Sequence, residues 1–364
     1  MIPLFKIHTP PGIGQAVQDV FDSGIITEGE KSDLFEKKFG DLIENNDVAI
    51  VNSCTSALTL AYEMAGVGPG DEVISSPMTC MATNEPIHNA RAKIVWADID
   101  PETGNISPES IRQRITNKTK AIVAVHWSGL PFDINSVNSI AKEHGLSVIE
   151  DAAHAVGATY GGKKIGGHSD YVCFSFQAIK HLTTVDGGAI STTRGQDAID
   201  TLRKIKWFGL DRKFKGQKWS QDITRSGFKF HMNNVNSSIG LLQMNYIDHI
   251  ISSHIKNGKI YDRDINNKHV KKLRIDPGVE SAYWIYTVLV DDPQNFSNYL
   301  AQNGISSDVV HVRNDRYTVF NEYRRDDLPG CDYFCSRMIN IPVGWWLTDD
   351  DVSHIVKSVN RYTP

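Results

Sequence analysis

Lys180 lies in a segment whose neighbours could convert an ordinary lysine into a nucleophile. The segment reads FSFQAIKHLTTVDGGA over residues 174–189, so an apolar strand end leads to the lysine and a Thr-Thr, Gly-Gly loop follows it. A lysine amine among apolar side chains loses hydration, which lowers its pKa and frees it to form a Schiff base. A surface lysine after a strand is the alternative interpretation.

Two carboxylates and a histidine stand at the end of another apolar segment, VIEDAAHA at residues 148–155. Ligands of open α/β sheets bind beyond the carboxyl ends of the strands, which makes Asp151 a candidate binding residue. Two alanines before His154 would let a flat ligand approach closely. Asp151 could instead be the N-cap of a helix, and the alanines would also suit tight helix packing.

A third candidate is the start of a predicted helix at residues 53–64 (SCTSALTLAYEM), directly after an apolar strand. Apolar residues recur there at helical spacing, and Ser53 or Thr55 can cap the helix. The free N–H groups and positive dipole end of a helix N-terminus favour a phosphate. Capping alone explains the hydroxyl residues equally well.

The three candidates together meet the needs of one cofactor, pyridoxal 5'-phosphate. This cofactor requires a lysine for covalent attachment, a carboxylate that keeps its pyridine nitrogen protonated, and a cup for its phosphate. Lys180, Asp151 and the turn at residues 53–56 would supply all three. We therefore predict a pyridoxal phosphate site.

The elements that must position these residues form an α/β pattern. Short β-rich segments, most of them apolar on both faces, alternate with helical stretches, as in a parallel sheet covered on both sides. They are residues 48–51, 72–76, 93–99, 121–126, 147–150 and 171–176. One long helix is predicted at residues 233–250, and shorter elements follow, including residues 284–290 and 338–342. We predict two domains, residues 1–249 and 250–364.

Length and composition exclude several classes of protein. The chain has 364 residues, of which 40% are hydrophobic and 22% charged, the mix of a globular protein with a substantial core. Its net charge is −5 without runs of like charge, so no nucleic-acid partner is predicted. An odd number of cysteines argues against a disulfide framework. Neither a signal peptide nor a membrane-spanning segment is indicated, and we expect a cytoplasmic protein with no membrane partner.

Four ordered motifs carry a resemblance to a known family. They are residues 53–58 (SCTSAL), 150–158 (EDAAHAVGA), 174–188 (FSFQAIKHLTTVDGG) and 237–243 (SSIGLLQ). In order and spacing they resemble the DegT/StrS sugar-nucleotide aminotransferases over nearly the whole chain. The resemblance implies an α/β, fold-type I PLP-dependent aminotransferase, with a large mainly parallel sheet domain, a smaller C-terminal α+β domain, and active sites at a homodimer interface.

The resemblance also implies roles for individual residues toward the cofactor. Lys180 would form the internal aldimine and later move the proton between the amino donor and C4′ of the cofactor. Asp151 would hold the pyridinium nitrogen, and His154 would pack against the ring face. The cofactor phosphate would be bound by Ser175, Thr55 and Ser56.

Two departures from the family pattern concern the cofactor. An aromatic residue that usually covers the ring is missing near Cys80, so Cys80 or Met81 would take its place. In GFKFHM at residues 227–232, Lys229 replaces the asparagine that reaches the neighbouring subunit's phosphate. A lysine could still bind that phosphate as a point charge.

On the substrate side, Gly29 corresponds to the family's N-terminal sugar-side loop. The family's second sugar loop reads HVRNDRY at residues 311–317, which makes His311 and Arg313 candidate substrate contacts. A basic, aromatic segment could contact a nucleotide diphosphate or form a solvated loop. Its cations are Lys204, Lys206, Arg212, Lys213, Lys215 and Lys218. Cys331 and Cys335 lack a second pair of ligands at zinc spacing, so no metal site is predicted.

By resemblance, the predicted reaction moves an amino group from glutamate to a keto group of a nucleotide-linked deoxysugar, a step of polysaccharide biosynthesis. Lysine at position 180 favours amino transfer, because the family's dehydratases carry histidine there. Two alternatives remain open. One is a non-catalytic relative that binds pyridoxal phosphate or a sugar nucleotide for sensing or assembly, and the other is a PLP-dependent sugar dehydratase.

Overall fold

A seven-stranded sheet forms the centre of the computed structural model, which describes residues 1–212 and 214–364. The strands of the chain are β1 (Val48–Val51), β2 (Glu72–Ser75), β3 (Lys93–Trp96), β4 (Thr119–Val125), β5 (Ser147–Asp151), β6 (Thr159–Tyr160), β7 (Lys163–Lys164), β8 (Tyr171–Ser175), β9 (Gly188–Thr192), β10 (Lys271–Lys272), β11 (Val279–Glu280), β12 (Tyr286–Leu289) and β13 (Met338–Ile341). The large sheet has the order β1-β9-β8-β5-β4-β2-β3. Within it only β9 runs antiparallel to its neighbours, so the predicted mainly parallel sheet is confirmed.

The strand order places several strand ends at one edge of the sheet. The parallel strands β1, β4, β5 and β8 all end at this edge, and antiparallel β9 begins there. Gly188 at the start of β9 pairs with Val51 on one side and with Ser175 on the other. Asp151, which ends β5, pairs with Cys173 of β8. Residues that follow these strands therefore meet in one region.

Helices cover the large sheet on both faces. The helices of the chain are α1 (Ile13–Asp22), α2 (Glu30–Ile43), α3 (Cys54–Met64), α4 (Met81–Asn89), α5 (Pro108–Arg114), α6 (Ile134–His144), α7 (Gln196–Ile205), α8 (Asn234–Gln243), α9 (Ile247–Asp264), α10 (Pro293–Gln302), α11 (Pro329–Cys335) and α12 (Asp349–Arg361). In β8, Val172 and Phe174 face a core shared with α2 and α6, whereas Tyr171 and Cys173 face one shared with α3 and α7. This alternation explains why the strands are apolar throughout.

The predicted helix over residues 233–250 is wrong, because two helices, α8 and α9, occupy this stretch. Between them the chain tightens, with the amide of Asn245 donating to the carbonyl of Leu242. The side chain of Gln243 bonds both His8 Nδ1 and the His8 carbonyl, at 2.8 Å each, and so ties this turn to the N-terminal segment. Asn245 in this turn is a weak helix former, so interrupting the helix at this position sacrifices little helical stability.

The C-terminal part has a sheet and a core of its own. Its sheet has the order β10-β12-β13, and its core runs from Tyr261 to Tyr362. The predicted domain boundary at residue 250 falls inside α9, which contributes Ile251 to a core of the large sheet and Tyr261 to the C-terminal core. The division into two domains stays a prediction. Among the described helices, none has the length and apolar content needed to cross a membrane.

Candidate active site

The amine of Lys180 lies enclosed at the edge where the strands end. Lys180 follows β8, and its Nζ is 3.8 Å from the centroid of the Trp284 ring. Although part of the residue is exposed, burial of the amine lowers its pKa to about 8, while the charge of Asp151 acts in the opposite direction. The predicted desolvation of this lysine is therefore present in the structure.

Asp151 presents a buried carboxylate at the end of β5, with 3% of the residue exposed. Its Oδ2 accepts a hydrogen bond from Thr83 Oγ1 at 2.6 Å, and its Oδ1 accepts from the amide of Ala153 at 3.1 Å. A turn follows Asp151, so the alternative of a helix N-cap is wrong. No described residue forms an ion pair with this carboxylate.

Two histidines and Trp284 line the same region. The His154 ring stacks on the Trp284 ring with centroids 3.8 Å apart and planes at 6°. His154 Nε2 lies 3.5 Å from His311 Nε2, and burial lowers the pKa of His154 well below its ordinary value and that of His311 to about 3. Both rings are therefore neutral at physiological pH. The buried Nδ1 of His154 has no partner in the described chain.

The turn between β1 and α3 forms a helix N-terminus whose first backbone amides have no hydrogen-bond acceptor among the described residues. Ser53 is the N-cap, and its hydroxyl accepts from the amide of Ser56 at 3.1 Å. Among the described residues, none accepts a hydrogen bond from the amide of Cys54 or Thr55, the first two of the helix. Capping and anion binding are therefore compatible here, because they use different amides.

The serines of the predicted phosphate cup come from neighbouring elements. Ser56 Oγ donates to Asn52 Oδ1 at 2.6 Å, and Ser175 is buried at the end of β8. Gly188 lies between these elements, where a Cβ atom would be 2.6 Å from the amide nitrogen of Cys54. The absence of a side chain at Gly188 thus lets α3 approach the sheet edge closely.

These observations fit pyridoxal 5'-phosphate. The cofactor requires three features: an amine of lowered pKa, a carboxylate and a phosphate cup. The described residues supply an enclosed amine of this kind, a buried carboxylate that no other described residue pairs with, and helix-start amides without an acceptor among them. The orphaned Nδ1 of His154 is a further polar atom in the same region. No group of three or more histidine, cysteine or acidic side chains in the described chain is arranged to hold a metal ion.

Lys229 lies beside the entry to the phosphate turn. The carbonyl of Phe230 accepts from the amide of Asn52 at 2.8 Å, and His231 bridges to Val51. The Lys229 residue itself is exposed. Its contact with the phosphate of a neighbouring subunit stays a prediction.

Gly29, the residue just before α2, lines a cleft of about 370 Å³. The carboxylate of Glu28 in this cleft forms ion pairs with Lys206 Nζ at 2.6 Å and with Arg212 Nη1 at 2.9 Å. Two cations of the basic segment are thus neutralised within the chain, which weakens the interpretation of this segment as a diphosphate contact. Lys213 of the same segment lies outside the described residues.

Arg313 is engaged within its own loop. Its guanidinium forms two hydrogen bonds of 2.7 Å to Asp315 and a further ion pair with Asp332, and 6% of the residue is exposed. We therefore interpret Arg313 as an anchor of the 311–317 loop. Its predicted contact with substrate stays a prediction, as do those of Gly29 and His311.

Trp284 and Thr83 contact the site, although no sequence pattern predicts either contact. Trp284 begins one of the shorter predicted elements, and no local signal indicates its approach to Lys180. Thr83 lies inside α4, where nothing in its neighbours indicated a bond to Asp151. Cys80, predicted to cover the ring, is exposed at the start of α4 and close enough to act electrostatically on Lys180.

Known proteins match this chain along nearly its whole length. The sequence profile of the DegT/DnrJ/EryC1/StrS aminotransferase family matches residues 11–360. The spore coat polysaccharide biosynthesis protein SpsC of Bacillus subtilis is 30% identical, over 98% of this chain and 96% of SpsC.

Solved structures agree with this match. The sugar aminotransferase CalS13 of Micromonospora echinospora is 34% identical and superposes with a TM-score of 0.94 over 99% of both chains. The PLP-form of Spr1654 from Streptococcus pneumoniae is 26% identical, with a TM-score of 0.90 over 99% of this chain and 97% of that one. The predicted fold type and cofactor are thus confirmed, and the chain belongs to the DegT/DnrJ/EryC1/StrS aminotransferase family, whose members use pyridoxal 5'-phosphate.

Proposed function

We propose that this protein transfers an amino group from glutamate to a keto group of a nucleotide-linked deoxysugar. The observation that carries the proposal is the enclosed amine of Lys180, whose pKa is lowered to about 8 within the electrostatic reach of a buried Asp151. A lysine with this environment has a neutral, nucleophilic fraction near physiological pH.

A residue of this chain is available for each task that the reaction requires. Bound pyridoxal phosphate supplies the electron sink that stabilises negative charge on the reacting carbon. Asp151 keeps the proton on the pyridine nitrogen, because no described residue forms an ion pair with its buried carboxylate. Lys180 Nζ holds the cofactor at rest and moves a proton once released. Thr55, Ser56 and Ser175 orient the phosphate.

The sugar class of the acceptor is supported by relatives. CalS13 is named a sugar aminotransferase, and SpsC is named for polysaccharide biosynthesis. The nucleotide link, the deoxysugar and glutamate rest on the sequence resemblance. We place the sugar beside His311, whose ring lies in contact with His154, and beside the loop of Gly29.

We further propose that the enzyme is a homodimer. Ile25 is 58% exposed and Val185 is 59% exposed. Both lie beside the first turn of α8. Asn234 donates to the carbonyl of Ile25, and Asn236 donates to the carbonyls of Thr184 and Asp186, on either side of Val185. Large exposed apolar residues around one helix start, close to Gly29, suit contact with a second copy.

The first experiment is the absorption spectrum of the purified protein before and after addition of glutamate. We expect the band of the lysine-bound cofactor to give way to that of the aminated cofactor. Lys180→Ala should abolish both turnover and the cofactor adduct trapped by borohydride, whereas the exposed control Lys163→Ala should retain both. A trapped adduct on another lysine would refute the assignment of Lys180.

The second experiment identifies the acceptor. The aminated enzyme is offered a panel of keto-sugar nucleotides with glutamate, and release of 2-oxoglutarate is followed. Turnover with at least one member is expected. Binding of a sugar nucleotide without any spectral change on adding glutamate would favour a sensor, and loss of a sugar hydroxyl would favour a dehydratase.

A further inference from the structure

Trp284 makes three separate contacts around the reactive lysine. Its ring centroid lies 3.8 Å from Lys180 Nζ, and its Nε1 donates to the carbonyl of Ile179 at 2.9 Å. Its ring also stacks on His154. With only 2% of the residue exposed, Trp284 is a buried surface against which the lysine amine rests.

The backbone that carries Trp284 is held on both sides. His181, next to the reactive lysine, bonds the carbonyl of Ala282 at 3.0 Å, and His254 of α9 bonds that of Tyr283 at 2.8 Å. Gly129, at a φ of +95°, packs so closely that a Cβ atom there would be 3.1 Å from the amide nitrogen of Trp284. The indole therefore has little freedom to move away.

The contact between an ammonium and an indole face depends on charge. The negative face of the indole attracts a cation, and the attraction is stronger where water is excluded. A neutral amine gains much less from the same face. The indole therefore favours the protonated form of Lys180, in opposition to burial, which favours the neutral form.

We propose that Trp284 is a positioning residue that holds the Lys180 amine against its indole face whenever that amine is not bonded to the cofactor. This inference rests on the proposed function, in which Lys180 is released during each transfer and must stay in place to move a proton. A tethered amine remains near the reacting atoms, whereas a free lysine side chain would explore many rotamers.

Other charged groups also face this amine, and the test must separate them from Trp284. The groups that act on Lys180 or respond to its charge come from five parts of the chain. They are Asp151, Cys80, Cys54, His154, His181 and His311. Changing only the electron density of the indole ring, without changing its shape, leaves all six of these residues in place.

The experiment is a titration of Lys180 in the cofactor-free full-length enzyme labelled with fluorinated tryptophans. Monofluoro-, difluoro- and trifluorotryptophan weaken the indole face stepwise with little change of shape. Competitive labelling with an amine-reactive reagent, read on the Lys180 peptide by mass spectrometry, gives the pKa of this amine. We expect the pKa to fall stepwise along the series, by about one pH unit in total.

Seven tryptophans incorporate the label, so the effect must be traced to one of them. In Trp284→Phe and Trp284→Tyr backgrounds, fluorination should leave the Lys180 titration unmoved. In the Trp127→Phe background, which removes another buried tryptophan near His311, the stepwise fall should persist. A flat series in the unsubstituted sequence, or a fall that survives Trp284→Phe, would overturn the proposal.

The titration uses neither cofactor nor substrate, so it fails independently of the proposed function. A flat series in an enzyme that responds to glutamate overturns the role of Trp284 alone. A stepwise fall in an enzyme that never responds to glutamate overturns the proposed reaction and leaves the contact established.

Discussion

The amine of Lys180 lies in a buried environment, where a positive charge is unfavourable. Burial lowers its pKa from 10.5 to about 8, and among the described residues the amine has no ion-pair partner. The attraction of Asp151 and the indole face of Trp284 offset only part of this penalty. An amine that is ready to react is thus one that makes the cofactor-free fold less stable.

This conflict predicts that Lys180→Met stabilises the cofactor-free protein. The folded-state pKa lies below the unfolded-state pKa, so the cost of the charge is full below pH 8 and disappears as the pH rises from 8 to 10.5. We expect the variant to gain about 2 kcal/mol in the free energy of unfolding at neutral pH. Urea denaturation at several pH values measures this gain.

The control for this prediction is Lys163→Met, at the exposed lysine that begins β7. Its stability should follow that of the parent protein at each pH. A gain for Lys180→Met that stays constant above pH 8 would contradict the argument, since apolar packing rather than charge would then be its source.

At the scale of elements, the contact between β9 and α3 shapes the phosphate turn. Gly188 pairs with Val51 and with Ser175, and its missing side chain leaves room for the first turn of α3. This close packing fixes the orientation of the Cys54 and Thr55 amides, which have no acceptor among the described residues. Small displacements of the helix start would therefore weaken phosphate binding without touching a ligand-contacting side chain.

Gly188→Ala tests this arrangement. The added Cβ would lie 2.6 Å from the Cys54 amide nitrogen, so α3 must shift. We expect a loss of about 1–3 kcal/mol in stability, typical of overpacking, and weaker binding of pyridoxal phosphate. Thermal melts and cofactor titration measure the two effects.

Gly68→Ala is the matched control, since a Cβ there meets no atom within 4 Å. Its stability should stay within about 0.5 kcal/mol of the parent value. Unchanged cofactor affinity in Gly188→Ala would show that the turn does not depend on this contact.

Local pattern predicted most of these elements and missed those that depend on distant contacts. Residues 48–51 were predicted as a strand and form β1, because four consecutive apolar residues before a capped helix start are a local signal. The predicted strand at residues 93–99 ends at Trp96 instead. Asp98 just beyond it accepts from the amides of Gly330 and Cys331, and this partner is more than 200 residues away.

At the scale of the whole molecule, the exposed apolar residues and Lys229 are the observations that support the proposed homodimer. Lys229 follows the segment that borders the phosphate turn, yet the residue is exposed. In a symmetric dimer, a residue of this kind can serve the site of the other copy.

Mixing inactive variants tests whether the copies share sites. A dimer of Lys180→Ala and Lys229→Ala chains contains one site with both lysines. After refolding an equal mixture, we expect about a quarter of the parent activity to return, because half of the dimers are hybrids with one intact site each. Activity of the mixture, compared with that of each variant alone, is the measurement.

Lys180→Ala mixed with Asp151→Asn is the control, because both residues belong to one chain's site and no hybrid has a complete one. This mixture should remain inactive. Full activity of Lys229→Ala on its own would refute the assignment of Lys229.

Local patterns in the amino-acid sequence are enough to predict pyridoxal phosphate as the cofactor. A lysine after an apolar strand, a carboxylate at a strand end and a hydroxyl-rich helix start are local patterns, and their combination predicted pyridoxal phosphate. Only long-range packing shows that Thr83 bonds Asp151, that the Trp284 ring lies against the Lys180 amine, and that Gln243 bonds His8 at the end of α8. These contacts join residues that are 68, 104 and 235 positions apart, and spacing along a chain carries no record of which distant side chains the packed core brings together.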